Sequence, residues 1–169
     1  MDSNDQRYSC GILTLSDKGS RGERQDTSGT YLRELFAEEG YNVIAYQVIP
    51  DQHRRIVATL TSWVDDREID LIITTGGTGV SPSDVTPEAT REVIDREIPG
   101  MAEAMRHASL EKTPNAVLSR GLAGIRGQSL IINLPGSERA ARENIAVLLP
   151  ALMHALYKLK GGKADCGST

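Results

Sequence analysis

Asp84 follows Gly76-Gly77-Thr78-Gly79 at short range, and a carboxylate held beside a glycine loop has a definite chemical meaning. Glycines lack Cβ atoms, so this stretch can take positive φ and let an anion come up to main-chain N–H groups. A carboxylate at the mouth of such a loop would repel a phosphate unless a cation lay between them. Mg²⁺ is the natural ion, because it takes one or two carboxylates plus substrate phosphates in octahedral oxygen coordination. The same residues also have a structural reading, in which the glycines turn the chain and Asp84 caps the turn. No Gly-Lys-Ser/Thr follows, so this is not a Walker loop, and the spacing of the dinucleotide fingerprint is missing.

The loop needs a rigid support on each side. Asp70-Leu71-Ile72-Ile73-Thr74-Thr75 is an apolar, β-branched run of the kind that forms a strand buried on both faces of a parallel sheet. Thr86 as N-cap, Pro87 at the first helical position and Glu88 in the first turn predict a helix after the loop. The unit is strand, glycine loop, helix.

Other strands feed the same edge. Ser9 to Leu15 reads as a first strand, followed by a polar loop over 16–22 that is expected to be mobile. A helix starting near Asp26, Thr27 or Ser28 carries Leu32, Leu35 and Phe36 on its core face and stops at Gly40. Its first N–H groups, near Ser28, form a second potential anion site. Val43 to Ile49 is the next strand, and the helix behind it carries Ile56, Leu60 and Trp63. Asp51 stands between them and reads as the N-cap of that helix. In a right-handed parallel arrangement, however, all the strand ends lie on one edge of the sheet. Asp51 and Asp84 can therefore face a common crevice despite their separation in sequence.

A break at Glu97-Ile98-Pro99-Gly100-Met101 precedes a helix through Met105 to about Ser109, whose face is expected to meet another subunit. Ala116 to Arg120 and Gln128 to Leu134 read as strands around the glycine-containing segment 121–127, which can continue the first strand and fold back as a hairpin. Asn133-Leu134-Pro135-Gly136-Ser137 repeats the strand-loop-helix pattern with Ser137 as N-cap. The last helix carries Ile145, Leu148, Leu149, Leu152, Leu156 and Leu159 on one side, as core or subunit interface, with Pro150 expected to kink it and the Gly161-Gly162 pair expected to begin a frayed tail. This alternation predicts one domain over 1–169, an α/β fold of three-layer α/β/α type, with a mostly parallel sheet, a hairpin extension and flexible ends at 1–7 and 162–169.

Composition narrows the function classes. Net charge is −4 over 169 residues, so a general affinity for nucleic acid or an acidic membrane is not expected, and any phosphate must be bound locally. The N-terminus lacks the apolar core of a signal peptide and no apolar run reaches membrane-spanning length, which predicts a cytoplasmic protein. Cys10 and Cys166 lie near opposite ends and read as strand packing and tail, while His53, His107 and His154 have no zinc spacing.

The residues already quoted, Thr75-Gly76-Gly77-Thr78-Gly79, Pro82-Ser83-Asp84-Val85-Thr86-Pro87-Glu88, Pro99-Gly100, Leu118-Ser119-Arg120 and Asn133-Leu134-Pro135-Gly136, together resemble the molybdopterin adenylyltransferase family, itself similar to the G domain of gephyrin. The resemblance runs from about Gly11 to Gly161. It implies adenylyl transfer from ATP to the terminal phosphate of molybdopterin, with pyrophosphate leaving and Mg²⁺ required, as a step in molybdenum cofactor biosynthesis. By the same resemblance Asp51 and Asp84 are the catalytic and metal-holding pair. Gly76, Gly77, Thr78, Gly79 and Ser81 bind phosphates, and Asp17, Asp26 and Ser28 belong to the nucleotide side. Ser119, Arg120, Asn133, Pro135, Gly136 and Ser137 line the pterin pocket, with Arg120 as a structural ion-pair partner the competing reading. A homotrimer and handover to a molybdate-insertion protein are implied only by the family. Glu138 departs from the family pattern, where proline is common, and places negative charge beside a phosphate-binding loop. The Gly121-Leu122 pair departs as well, where small polar residues are more usual. A catalytically idle molybdopterin carrier or scaffold is the alternative; a Rossmann oxidoreductase is disfavoured by the missing fingerprint.

Overall fold

The computed structural model describes residues 7–163, so expectations for the two termini and for Cys166 lie outside the described residues. β1 (Ser9–Leu15) leads through a short α1 (Asp17–Ser20) into α2 (Thr27–Glu38), β2 (Asn42–Ile49), α3 (His53–Asp65) and β3 (Leu71–Thr75). Then follow α4 (Thr86–Val93), β4 (Arg96–Glu97), α5 (Pro99–Leu110), a 3₁₀ turn (Pro114–Leu118), β5 (Ala123–Arg126), β6 (Ser129–Leu134) and α6 (Glu138–Leu159).

The strands form one sheet in the order β2-β1-β3-β6-β5-β4. β2, β1, β3 and β6 run parallel, while β5 and β4 add to them antiparallel. Parallel strands need helical crossovers, and these cover both faces of the sheet. One face buries Ile12, Ile73 and Ile132 with Leu32 and Phe36 of α2, Met105 of α5 and Ile145 and Leu152 of α6. The other buries Leu13, Ile72 and Ile131 with Ile56, Leu60 and Trp63 of α3 and Ala89 and Val93 of α4. Every residue of β3 is buried, as its unbroken apolar run predicts. The result is the expected α/β/α sandwich with a hairpin extension.

The hairpin's first strand is displaced from the expected position. Ala116 to Arg120 does not form a strand: Thr113 accepts from Asn115 N and starts the 3₁₀ turn, and Val117 and Leu118 are 63% and 48% exposed. Pro114 favours that first turn and has no N–H to give a ladder. The strand falls instead at Ala123–Arg126, where Gly124 lets Ile94 and the Arg96 carbonyl approach closely.

Other local expectations also shift. The 16–22 segment opens with the helical turn α1, capped by Ser16 Oγ on Gly19 N at 3.0 Å. Gln52, not Asp51, is the N-cap of α3, and Val85, not Thr86, that of α4. The helix α6 continues past Pro150, which lies on its exposed side. Gly161, at φ +86°, closes that helix with N–H bonds from Gly161 and Gly162 to the carbonyls of Lys158 and Tyr157, so the pair ends the helix rather than fraying. Among the described residues no helix is long and apolar enough to cross a membrane.

Candidate active site

The chain leaves β1 on one side of the sheet to reach β2 and returns on the other side to β3. That reversal opens a crevice above the carboxyl ends of the strands. Ser16, Asp51, Gly76 and Gly136 follow the ends of β1, β2, β3 and β6 and meet there.

Four successive carbonyls of the glycine loop are held on its protein side. Gly76 O accepts from Thr86 Oγ1 at 2.9 Å, Gly77 O from Thr86 N at 3.1 Å, Thr78 O from Arg120 N at 2.8 Å and Gly79 O from Arg120 Nε at 2.6 Å. All peptides among the described residues are trans, and in a trans peptide the following N–H points opposite to the carbonyl. The N–H groups of Gly77, Thr78, Gly79 and Val80 are therefore turned away from Thr86 and Arg120, which leaves them open to an anion. Gly76 N–H is not part of it, because it bonds Leu134 O at 3.1 Å. Ser81 N–H is also engaged, by Asp84 Oδ2 at 2.9 Å, so Ser81 orients the carboxylate where a phosphate contact was expected.

Positive φ and close approach explain the glycines. At Gly76 (φ +103°) a Cβ would lie 2.3 Å from Leu15 O; at Gly77 (φ +66°) it would lie 2.3 Å from Thr86 Oγ1 and 3.0 Å from Asp51 Oδ1.

A polar cavity of about 370 Å³ lies on the β1 and β2 side of this loop. Asp26, Ser28, Asp51, Gly76, Gly77, Asp84, Gly136 and Ser137 line it, and Arg24 is the cation among its described lining residues. A second cavity of about 400 Å³ lies on the α5 side, lined by Gly77, Thr78, Gly79, Asp84, Ser119, Pro135 and Gly136 together with Arg106, Ala116 and Leu118. Gly77, Asp84 and Gly136 belong to both. Two ligands seated in the two cavities would thus meet at Asp84.

Asp51 and Asp84 share the first cavity. Burial pushes the Asp51 carboxyl above its usual range, and the charges of Asp17 and Asp84 push the same way, against a bond from the Asp17 N–H. Asp51 Oδ1 is buried and has no hydrogen-bond partner among the described residues. Among those residues no group of three or more His, Cys, Asp or Glu side chains could hold a metal by itself. An unpartnered carboxylate oxygen, a second carboxylate beside it and main-chain N–H groups open to an anion fit Mg²⁺, whose remaining ligands are phosphate oxygens and water.

Several expected ligands have structural employment. Asp26 caps α2 through Gly29 N at 2.9 Å and accepts from Thr14 Oγ1 and Tyr46 OH, both at 2.7 Å. Burial and that carboxylate push the Tyr46 phenol up to about 12. Ser28 Oγ bonds Thr75 Oγ1 at 2.8 Å, and Thr75 donates to Pro135 O at 2.7 Å. Asp17 does not line the first cavity; it pairs with Asp51. Asn133 is buried inside the sheet, its amide donating to Thr74 and Thr90 at 3.0 Å each, so it supports the loop from below rather than lining a pterin pocket. Arg120 donates to Gly79 O and Asp84 O, both at 2.6 Å, and pairs with Glu88, the contacts that the ion-pair reading expects; it is not among the described lining residues of the second cavity. Ser137 caps α6 through Ala140 N at 3.3 Å, and the charge of Glu138 is answered by Arg142 at 2.8 Å.

Arg24 and Gln25 of the first cavity, and Arg106, Thr113 and Asn115 of the second, went unseen in the sequence. Arg24 and Gln25 precede a helix cap without any motif. Arg106 has helical spacing that reads as packing.

The fold is an open, mostly parallel α/β sheet whose edge brings a glycine loop to two carboxylates. More particularly, the chain belongs to the family described as "Probable molybdopterin binding domain", which matches residues 11–154. Molybdopterin adenylyltransferase of Helicobacter pylori (strain J99) is 39% identical over 158 residues, covering 92% of this chain and 90% of that protein. Gephyrin of Dictyostelium discoideum is 44% identical over 162 residues, covering 90% of this chain, which spans only 22% of gephyrin's length. The chain likewise spans 25% of the length of the Drosophila melanogaster molybdenum cofactor synthesis protein cinnamon, at 43% identity over 86% of this chain. Among solved structures, the molybdopterin biosynthesis enzyme MoaB of Thermus thermophilus superposes with a TM-score of 0.86 at 54% identity, covering 91% of this chain and 97% of that one.

Proposed function

We propose that this protein is a molybdopterin adenylyltransferase. A terminal phosphate oxygen of molybdopterin forms a bond to the α-phosphorus of ATP, the bond from that phosphorus to the β-phosphate bridging oxygen breaks, and pyrophosphate leaves. The full-length relatives named for this activity support the reading, and so does one feature of the site: a nucleotide-sized polar cavity and a second cavity meet at Gly77 and Asp84.

Main-chain N–H groups of Gly77, Thr78 and Gly79 bind and orient the phosphates, which holds nucleophile and centre in line. No general base is required, because a phosphate nucleophile is already ionised at neutral pH. Asp51 and Asp84 would hold Mg²⁺, which when bound offsets the charge of the phosphoryl oxygens. ATP sits on the side of Arg24, Thr27 and Ser137, and the pterin on the side of Ser119, Pro135 and Arg106. The homotrimer and the handover to a molybdate-insertion protein rest on family kinship alone, and the cytoplasmic setting on the polar N-terminus and the lack of a long apolar run.

The test is pyrophosphate release by the purified protein with molybdopterin, ATP and Mg²⁺. Wild type releases it, and Asp84→Asn and Asp51→Ala nearly abolish release while pterin binding persists. Pterin binding without pyrophosphate in the wild type selects the idle carrier instead.

A further inference from the structure

β1 and β2 leave the sheet side by side, and Ser16 N donates to Ile49 O at 2.9 Å, so the two strands stay paired to their last residues. Beyond that bond the next residues clasp each other. Asp17 N–H donates to Asp51 Oδ2 at 3.1 Å, and Asp51 N–H donates to Asp17 Oδ1 at 3.0 Å. Ser16 Oγ caps α1 at Gly19 N, and a Cβ at Gly19 would lie 3.1 Å from Ser16 and 3.2 Å from Val48.

This clasp decides how Asp51 presents itself. A carboxylate turns about its Cβ–Cγ bond unless something holds one oxygen. With Oδ2 held by Asp17, Oδ1 must face the other way, and there it is buried, without a partner among the described residues, opposite Gly77. Asp17 itself stays out of the cavity, and one of its own oxygens is engaged on a main-chain N–H.

We infer that Asp17 is a positioning residue: through its reciprocal bonds it aims Asp51 Oδ1 at the divalent ion, and it makes no contact with the nucleotide. The inference rests on the proposed adenylyl transfer and on Asp51 as an ion ligand. It separates geometry from charge. A negative charge at this position would attract a cation from any orientation, whereas the clasp requires an acceptor oxygen at one distance from the Asp51 N–H. Asp17→Asn keeps that oxygen and removes the charge. Asp17→Glu keeps the charge and moves the oxygen by a methylene.

Mn²⁺ serves as the probe for Mg²⁺, its binding to the full chain followed by electron paramagnetic resonance alongside pyrophosphate release. Asp17→Asn is expected to stay within about threefold of wild type in both, and Asp17→Glu to lose about tenfold or more in Mn²⁺ affinity, as for other residues that orient a metal ligand. Binding of ATP in excess EDTA, where no metal contributes, should be unchanged in both variants. The reverse order, with Asn defective and Glu intact, overturns the inference in favour of a field effect. Loss of metal-free ATP binding overturns it in favour of direct contact. If Asp51→Ala leaves Mn²⁺ binding intact, the ion is not at Asp51 and the underlying reading falls with it; if Asp51→Ala removes binding while the Asp17 order is reversed, only this inference falls.

Discussion

Arg120 donates from Nη2 to the main-chain oxygen of Asp84 at 2.6 Å, so the loop carrying the carboxylate is tied to the segment that lines the second cavity. Its Nε reaches Gly79 O in the same grip. The planar guanidinium suits this task because its donors lie in a fixed fork, which a lysine cannot reproduce.

Arg120→Lys should therefore lower kcat by about 10- to 100-fold, the cost of a small displacement of a reacting group. Were Arg120 a pterin contact, KM for molybdopterin would rise with kcat nearly unchanged. Steady-state pyrophosphate release with pterin varied distinguishes the two.

Gly76 and Gly79 should respond differently to alanine. A Cβ at Gly76 would lie 2.3 Å from the Leu15 carbonyl at φ +103°, so backbone must move; at Gly79 it would meet the far end of the Asp84 side chain, 2.8 Å from Oδ2. Gly76→Ala should destabilise by ~2 kcal/mol or more, or roughly 5 °C in Tm. Gly79→Ala should keep Tm within about 2 °C and lose activity by about tenfold or more through the displaced carboxylate. Thermal unfolding and turnover of both variants check the contrast.

The strand, loop and helix around Asp84 were legible because each signal is local: an apolar run, glycines, then Thr-Pro-Glu. The shared edge for Asp51 and Asp84 followed from the handedness of parallel crossovers. What escaped depends on partners far along the chain. Arg120 reaches Gly79 across 41 positions, and Asn133 meets Thr74 and Thr90 across 59 and 43. A polar residue at the end of a strand reads as a site residue when nothing local shows that helix α4 offers it a hydroxyl inside the core. Ala116-Val117-Leu118 reads as strand by composition, and only tertiary packing leaves Val117 on the surface.

At the opposite end of the sheet, Asp70 Oδ2 accepts from Ser9 N at 2.8 Å and Ser9 Oγ at 2.9 Å, while Lys160 Nζ lies 2.5 Å from Oδ1. Burial alone would raise this carboxyl, but Lys160 and Ser9 outweigh it and the net direction is down. A lowered carboxyl stabilises the fold above the usual carboxylate range, and that stability is lost as pH falls through the native value. Asp70→Asn should cost ~1–2 kcal/mol at pH 7, with the deficit shrinking on acidification and turnover unchanged. Tm measured against pH, beside an activity assay, checks both halves.

Asp51 has the opposite sign. Burial first, then the charges of Asp17 and Asp84, raise its carboxyl, so the folded chain holds this proton more tightly than the unfolded chain does. As pH rises through the carboxylate range the unfolded chain ionises first, and the fold loses stability that it does not regain at neutral pH. Asp51→Asn removes the charge, keeps an oxygen for the Asp17 N–H and puts an amide where Oδ1 stood. At pH 7 it should raise Tm by about 1–4 °C, a gain that fades below the usual carboxylate range, while adenylyl transfer is lost. Mg²⁺ with ATP should raise the Tm of wild type more than that of Asp51→Asn, because ligand binding to the native state stabilises it only where the site is intact. A variant less stable than wild type at pH 7 would mean that the buried charge already has its compensation within the protein, and that Asp51 is not waiting for a cation.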